Sequence, residues 1–411
     1  MLDLGHRRRP LRGRDPDEPH RTATPLELLY DLVFVVAFGQ AANELAHYVA
    51  EDHLLTGVFG FAFATFAIAW AWISYSWFAS AYDQDDWVCR LATMVQMVGV
   101  IILALGLPEV FASFEGGDTL DNGVVVAGYI VMRVPMAFQW LRASRHDPQR
   151  RSAHLTYFWT IIVAQVGWTG LVFLSLPIGT TFLLASGLYA IELAGPVIAE
   201  RSKGGTPWHA HHIAERYGLL VIITLGEGII GTVASLSAVV HGPAGWSVDA
   251  ALVAVAGTGL TFGTWWMYFT MPSARVLHLH RERAFFWGYW HMVVFAALAA
   301  IGAGLHVAAY YLEHHTEIGA VGTVLSVAVP LAVFTLMLYV LWTALVREVD
   351  PFHLGLLVGT VAVLVLAVLL AQAGVSMAWC LVVLALAPVV TVVGYETVGH
   401  RHQEAVLSRM T

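Results

Sequence analysis

Charge is scarce in this sequence. Asp, Glu, Lys and Arg supply 12% of its 411 residues, about half the share of roughly 25% found in soluble domains. That scarcity excludes an ordinary water-soluble globule, since 58% of the residues are hydrophobic and the mean hydropathy is +0.68. Cysteine is nearly absent: Cys89 and Cys380 support neither a disulfide framework nor a cysteine-rich metal cluster. The sequence has no HExxH helix, no GxSxG elbow and no Gly-rich phosphate loop, so nothing marks it as an enzyme or as a binder of a cofactor. A net charge of −8 gives no ground for nucleic-acid binding. A cleavable signal peptide is not expected, because the stretch Arg7–Arg21 is polar and the apolar run after it contains charges.

What is present is a series of apolar runs long enough to cross a bilayer. Twelve are expected, at about 26–46, 55–79, 90–113, 122–141, 153–175, 178–198, 212–236, 247–271, 284–309, 318–346, 353–371 and 375–396. The fold class is therefore all-α, a polytopic transmembrane helical bundle. When the links are numbered alternately, one set holds Arg7, Arg8, Arg9, Arg12, Arg14 and Arg21, then Arg90, Arg142, Arg145, Arg150 and Arg151. It continues with Arg201, Lys203, Arg216, Arg275, Arg281, Arg283, Arg347, Arg401 and Arg409. The other set has no Lys or Arg and carries acids such as Glu51, Glu109, Asp121, Asp249, Glu313 and Glu317. The positive-inside rule then puts both termini in the cytoplasm. Trp87, Trp140, Trp208 and Trp246 fall at span ends, where an interfacial aromatic belt is expected.

The second half resembles the first at an offset of about 190 residues. Asp31 to Gln40 aligns with Gly218 to Glu227, Trp72-Ile-Ser-Tyr75 with Trp266-Met-Tyr-Phe269, and Gln96-Met97 with His291-Met292. Two parallel six-helix repeats follow, because an even number of spans brings both halves in from the same side. The expected organisation is a basic cytoplasmic tail over 1–21, repeats over 22–204 and 205–399, and a cytoplasmic tail over 400–411.

Polar residues inside the spans are the functional candidates, since carboxylates at membrane depth are costly and mark pathways or relays. In the first span Glu27 and Asp31 share a face with Phe34 and Phe38, while Gln40, Asn43, Glu44 and His47 fall roughly opposite. Polar chemistry on both sides predicts that this helix is enclosed or lines a cavity. The plainer alternative for Glu27 and Asp31 is pairing with Arg216 or helix capping. In the seventh span Glu227 lies at mid-membrane between Gly226 and Gly228 and is a proton-carrying candidate. Those glycines suit either close helix packing or an unwound segment. Arg133 needs a counter-charge, for which Asp31 and Glu192 are the choices. His291 is a further intramembrane polar candidate. The histidine clusters lie in links on both sides without Cys or carboxylate company, so no metal site is expected.

Glu27-Leu-Leu-Tyr-Asp31-Leu-Val-Phe-Val-Val-Ala-Phe-Gly-Gln40 resembles the opening signature of the bacterial low temperature requirement protein A family, Glu-Leu-Phe-Phe-Asp-Leu-Val-Phe-Val-x-x-Ile-x-Gln. Here Leu29 and Tyr30 replace the two Phe, and Phe38 stands for Ile. His212-Ile-Ala-Glu215-Arg216-Tyr-Gly218-Leu-Leu-Val-Ile-Ile-Thr-Leu-Gly226-Glu227 is similar to the family's second signature, His-x-x-Glu-Arg-Phe-Gly-Leu-x-x-Ile-x-x-Leu-Gly-Glu. The resemblance implies a multi-span bacterial protein of the inner (plasma) membrane. It carries over no substrate. It singles out Glu27, Asp31, Gln40, His212, Glu215, Arg216, Gly226 and Glu227. Two-repeat potassium channels, whose repeats open on Phe-Ser-Asp, offer a fainter analogy through Asp31 alone.

The sequence thus predicts a protein whose partners are the lipid bilayer and a small solute or ion, with oligomerisation left open. A secondary, proton-coupled transporter is the first reading. The alternatives are a cation channel-like protein and a cold-stress membrane component without transport.

Overall fold

In the computed structural model, residues 10–19, 21–116, 118–174, 176–202, 205–242 and 245–410 are described. Arg7, Arg8, Arg9 and Lys203, used above for topology, lie outside them. Among the described residues the chain is helical, with a lone antiparallel bridge between Thr119 and Pro177. The helices are α1 (Pro25–Ala50), α2 (Leu54–Tyr82), α3 (Trp87–Leu105), α4 (Leu107–Gly116), α5 (Gly123–His146), α6 (Arg151–Leu174) and α7 (Ile178–Arg201). They continue as α8 (Ala210–Val240), α9 (Val248–Phe269), α10 (Ser273–Leu279), α11 (Ala284–Leu312), α12 (Ala320–Val346), α13 (Pro351–Gln372), α14 (Met377–Gly394) and α15 (His400–Met410). Taking α3 with α4, α9 with α10 and α14 with α15, twelve of these elements are long and apolar enough to cross a membrane. Helices are forced here because lipid leaves backbone N–H and C=O groups no other partners.

Helix starts follow local sequence. Thr24 and Glu27 form a capping box. The Glu27 N–H donates to Thr24 Oγ1 at 3.3 Å and the Thr24 N–H to Glu27 Oε2 at 2.7 Å, with Pro25 set at the first helical position. Asp86 caps α3 by accepting from the Cys89 N–H at 2.9 Å, and Asp350 caps α13 by accepting from the Phe352 N–H at 2.9 Å.

The chain divides into two compact units, Met1–Gln40 with Ala67–Arg216, and Ala41–Phe66 with Tyr217–Thr411. In the first, α3 packs on α5, α5 on α6 and α6 on α7. The α3–α5 contact is backbone to backbone: a Cβ on Gly99 would sit 2.6 Å from the Gly128 carbonyl oxygen. In the second, α11 packs on α12, α12 on α13, α13 on α14 and α14 on α9.

Several expectations are corrected. The third span is present over Trp87–Gly116, with a turn at Gly106 between α3 and α4, where a Cβ would meet Val124 at 2.7 Å. The first helix is not enclosed: Leu29, Leu32, Val36, Asn43 and His47 form an exposed stripe, while Gln40 and Glu44 of its second polar face are half-buried. Trp87 and Trp246 are exposed as a belt requires, but Trp140 and Trp208 are buried. Trp140 stacks on Tyr157 with centroids 4.1 Å apart, and Trp208 meets Trp77 edge-on at 4.9 Å. Aromatic partners within the unit claim those two rings.

Candidate functional site

The two sequence signatures meet in the first unit, although their residues lie 185 positions apart. Glu27 and Asp31, one turn apart on α1, both face Arg216 near the start of α8, and all three are fully buried. Arg216 Nη1 stands 2.9 Å from Glu27 Oε1, and Nη2 donates to Asp31 Oδ1 at 2.5 Å. Trp72 Nε1 on α2 donates to the same Asp31 oxygen at 2.7 Å. The guanidinium lies 5.5 Å from the Trp72 ring and 5.7 Å from that of Tyr75, within cation–π range. His212, one turn before Arg216, sets Nε2 3.1 Å from Glu27 Oε1. Arg21 approaches the same oxygen at 3.9 Å. Two carboxylates thus face two guanidiniums, with His212 as a hydrogen-bonding neighbour. Glu27 also caps α1, so pairing and capping, the plainer alternative for these acids, describe the geometry.

A second buried group in this unit surrounds Glu192 on α7. Arg133 of α5 forms an ion pair with it. Trp70 Nε1 donates to Oε2 at 2.5 Å, Tyr129 Oη to the same oxygen at 3.2 Å, and Gln165 Nε2 to Oε1 at 3.5 Å. Of the two counter-charges considered for Arg133, Glu192 is the one used, because Asp31 belongs to Arg216.

In the second unit Glu227 is buried, with 2% of its surface exposed. No donor or cation reaches its carboxylate among the described residues. It contrasts with Glu27, Asp31 and Glu192, each of which meets an arginine. Around it α8 is continuous from Ala210 to Val240, so the seventh span is not unwound. Gly228 and Gly231 pack against Thr261 of α9 and Gly302 of α11, whereas Gly226 has nothing within 4 Å of its Cβ position. His291 uses both ring nitrogens: Nδ1 donates to the Trp287 carbonyl at 2.7 Å, which leaves Nε2 to accept from Tyr268 Oη at 3.1 Å.

The other singled-out residues stand apart. Glu215 is exposed and accepts from the Ala23 N–H at 3.2 Å. Gln40 is half-buried at the end of the first unit's share of α1. Among the described residues no group of His, Cys, Asp or Glu is arranged to hold a metal ion.

Sequence reasoning missed a third buried pair. Arg142, read only as a link charge, and Asp86, which was not singled out, are buried and joined to each other. Nearby, His154 Nε2 lies 2.6 Å from Tyr82 Oη, which donates to Asp147 Oδ2 at 3.1 Å. The signal was the capping position of Asp86 at the start of an apolar run. Asp83 is also buried in this link, and burial, with the Glu27 carboxylate adding to it, pushes its own carboxyl up to about 6.

A family model described as bacterial low temperature requirement A protein (LtrA) matches residues 22–388. An uncharacterized protein of Rhizobium meliloti is 29% identical over 225 residues, 50% of this chain and 49% of that protein. The chain therefore spans about half the length of this curated relative. No solved structure matches.

Proposed function

Since the chain belongs to the bacterial low temperature requirement A family, we propose that it is a secondary, proton-coupled transporter of a small solute, with Glu227 as the proton carrier. The observation that carries this reading is the contrast among buried acids. Glu27, Asp31 and Glu192 are held by arginines, and Glu227 has no counter-charge among the described residues. A buried carboxyl without a partner responds to the arrival of a proton or cation, whereas one locked to arginine does not. The arginine-bound clusters serve in this reading as fixed points of the bundle.

The protein acts without cofactor or chemical turnover, in the bacterial inner membrane, with both termini cytoplasmic as the arginine distribution favours. Its two halves act as parallel six-helix repeats. A second reading, a membrane component without transport, draws support from the pairing of Glu27, Asp31 and Glu192 with arginines.

The test is ion and proton flux in proteoliposomes, using sodium and potassium ions with an internal pH dye. Wild-type flux that follows the pH gradient and disappears in Glu227→Gln, with folding retained, is expected. Flux that is voltage-driven and indifferent to the pH gradient points to a channel. Unaltered flux in Glu227→Gln removes the carrier role.

A further inference from the structure

Glu227 has a neighbouring helix that carries protonatable groups away from it. A Cβ on Gly302 of α11 would stand 2.6 Å from the Cβ of Glu227 and 2.8 Å from its carbonyl oxygen. One turn further along α8, a Cβ on Gly231 would stand 2.6 Å from the Gly302 carbonyl oxygen and 3.4 Å from Cδ2 of His306. Glu227 to Gly231 and Gly302 to His306 advance together, so the two helices run in the same direction through this contact. His306 lies about 6 Å along the axis from the level of Glu227.

The imidazole stands out from its surroundings. His306 is the half-buried position in the otherwise buried run from Ala297 to Ala309. Its Nε2 is enclosed, and no hydrogen-bond partner reaches it among the described residues. One turn beyond is Tyr310, also half-buried. The carboxylates of Glu44 and Glu313 lie near enough to act on its hydroxyl electrostatically. Glu313 is exposed just past the end of α11. Tyr311, His314 and His315 also stand at the Glu313 end of α11, and His47 and Glu51 at the Glu44 end of α1, while Tyr289 and His291 lie in the first half of α11. On α8 the remaining ones are His211, His212, Glu215, Arg216 and Tyr217, all near its start. On α9 they are Asp249 and Tyr268, at its two ends, and on α12 Tyr339. At the depth of His306, α12 offers Ser326 and Val327, against Gly304.

We propose that His306 and Tyr310 form a proton path along α11, from the Glu44 and Glu313 end, which the charge rule assigns to the outside, to Glu227. This path rests on the reading of Glu227 as proton carrier. A proton from water at the carboxylate end reaches the Tyr310 oxygen as the phenol's own proton passes to His306 Nε2. The imidazolium N–H then breaks as the O–H bond of the Glu227 acid forms, and His306 returns to neutral. Water molecules bridge the gaps longer than a hydrogen bond.

The experiment is infrared difference spectroscopy of the full-length protein in lipid nanodiscs, following deuterium exchange of the protonated carboxyl band that Glu227→Gln removes. In His306→Gln and Tyr310→Phe that band keeps its position and amplitude, and its exchange slows by about a hundredfold, the scale of a lost acid–base group. Tyr310→Phe removes a single hydroxyl and carries the test alone if His306→Gln does not fold. Exchange at the wild-type rate in the folded variants overturns the path and leaves Glu227 as carrier. Absence of any band sensitive to Glu227→Gln overturns the carrier reading, and the path with it.

Discussion

Replacing Arg216 with methionine tests whether the signature cluster is a dry, mutually compensated group. The substitution removes the guanidinium that stands 2.9 Å from Glu27 and 2.5 Å from Asp31 and keeps an apolar side chain in its place. Two fully buried carboxylates then remain, with Arg21, 3.9 Å from Glu27, as the nearest cation, and Asp31 keeps only the Trp72 hydrogen bond. Breaking a buried pair from one side costs about 3–5 kcal/mol, because the orphaned charge stays out of water. Neutralising all partners together, with Glu27→Gln and Asp31→Asn added to Arg216→Met, recovers most of that loss, since well-packed neutral groups replace buried ion pairs at little cost. The assay is unfolding of the detergent-solubilised protein, followed through tryptophan fluorescence, for wild type, single and triple variants. Arg409→Ala is the control: it breaks the exposed pair with Glu348 at 2.6 Å and leaves stability nearly unchanged. A single Arg216→Met variant as stable as this control refutes the reasoning, because it means that water already reaches the carboxylates.

Two further outcomes follow from the packing and the links. Burial raises the Asp83 carboxyl from 3.8 to about 6, so the folded chain holds this proton more tightly than the unfolded chain. Its stabilisation is complete below about pH 4 and is lost as pH rises through about 6. Asp83→Asn therefore flattens the fall in melting temperature over that window, and melting curves from about pH 4 to pH 7 read it directly. Gly302→Val brings a branched side chain to a position where even a Cβ stands 2.6 Å from that of Glu227. Forcing α8 and α11 apart costs about 1–3 kcal/mol or more, seen as lower yield of monodisperse protein and a lower melting temperature than in Gly226→Ala, where the space is open.

The spans were legible in the sequence because length and apolarity decide them, and the helices found run within a few residues of the expected limits. The meeting of Glu27 and Asp31 with Arg216 was legible as one of two alternatives, since a buried arginine must find acids. The position of Arg133 beside Glu192 was legible in the same way. What stayed hidden depended on neighbours. Glycines flanking Glu227 suggested an unwound segment. In lipid, however, each unmade backbone hydrogen bond costs more than the roughly 1 kcal/mol by which a glycine weakens a helix, and α8 stays whole. Arg142 sits in a run of link cations and gives no local sign that Asp86, 56 positions earlier, takes it inside. His306 lies alone in an apolar run, and only the close approach of Gly231 and Gly302 puts it beside the seventh span.

The tie between Glu27, Asp31 and Arg216 also constrains biosynthesis. The two acids belong to α1, and the arginine that neutralises them is synthesised 185 residues after Asp31, with five spans between. Until then the first helix carries two acids facing no arginine of α8, a costly state within lipid. The pairing of α1 is therefore completed only when the seventh span arrives, and a chain stalled before Arg216 lacks the guanidinium that Glu27 and Asp31 share.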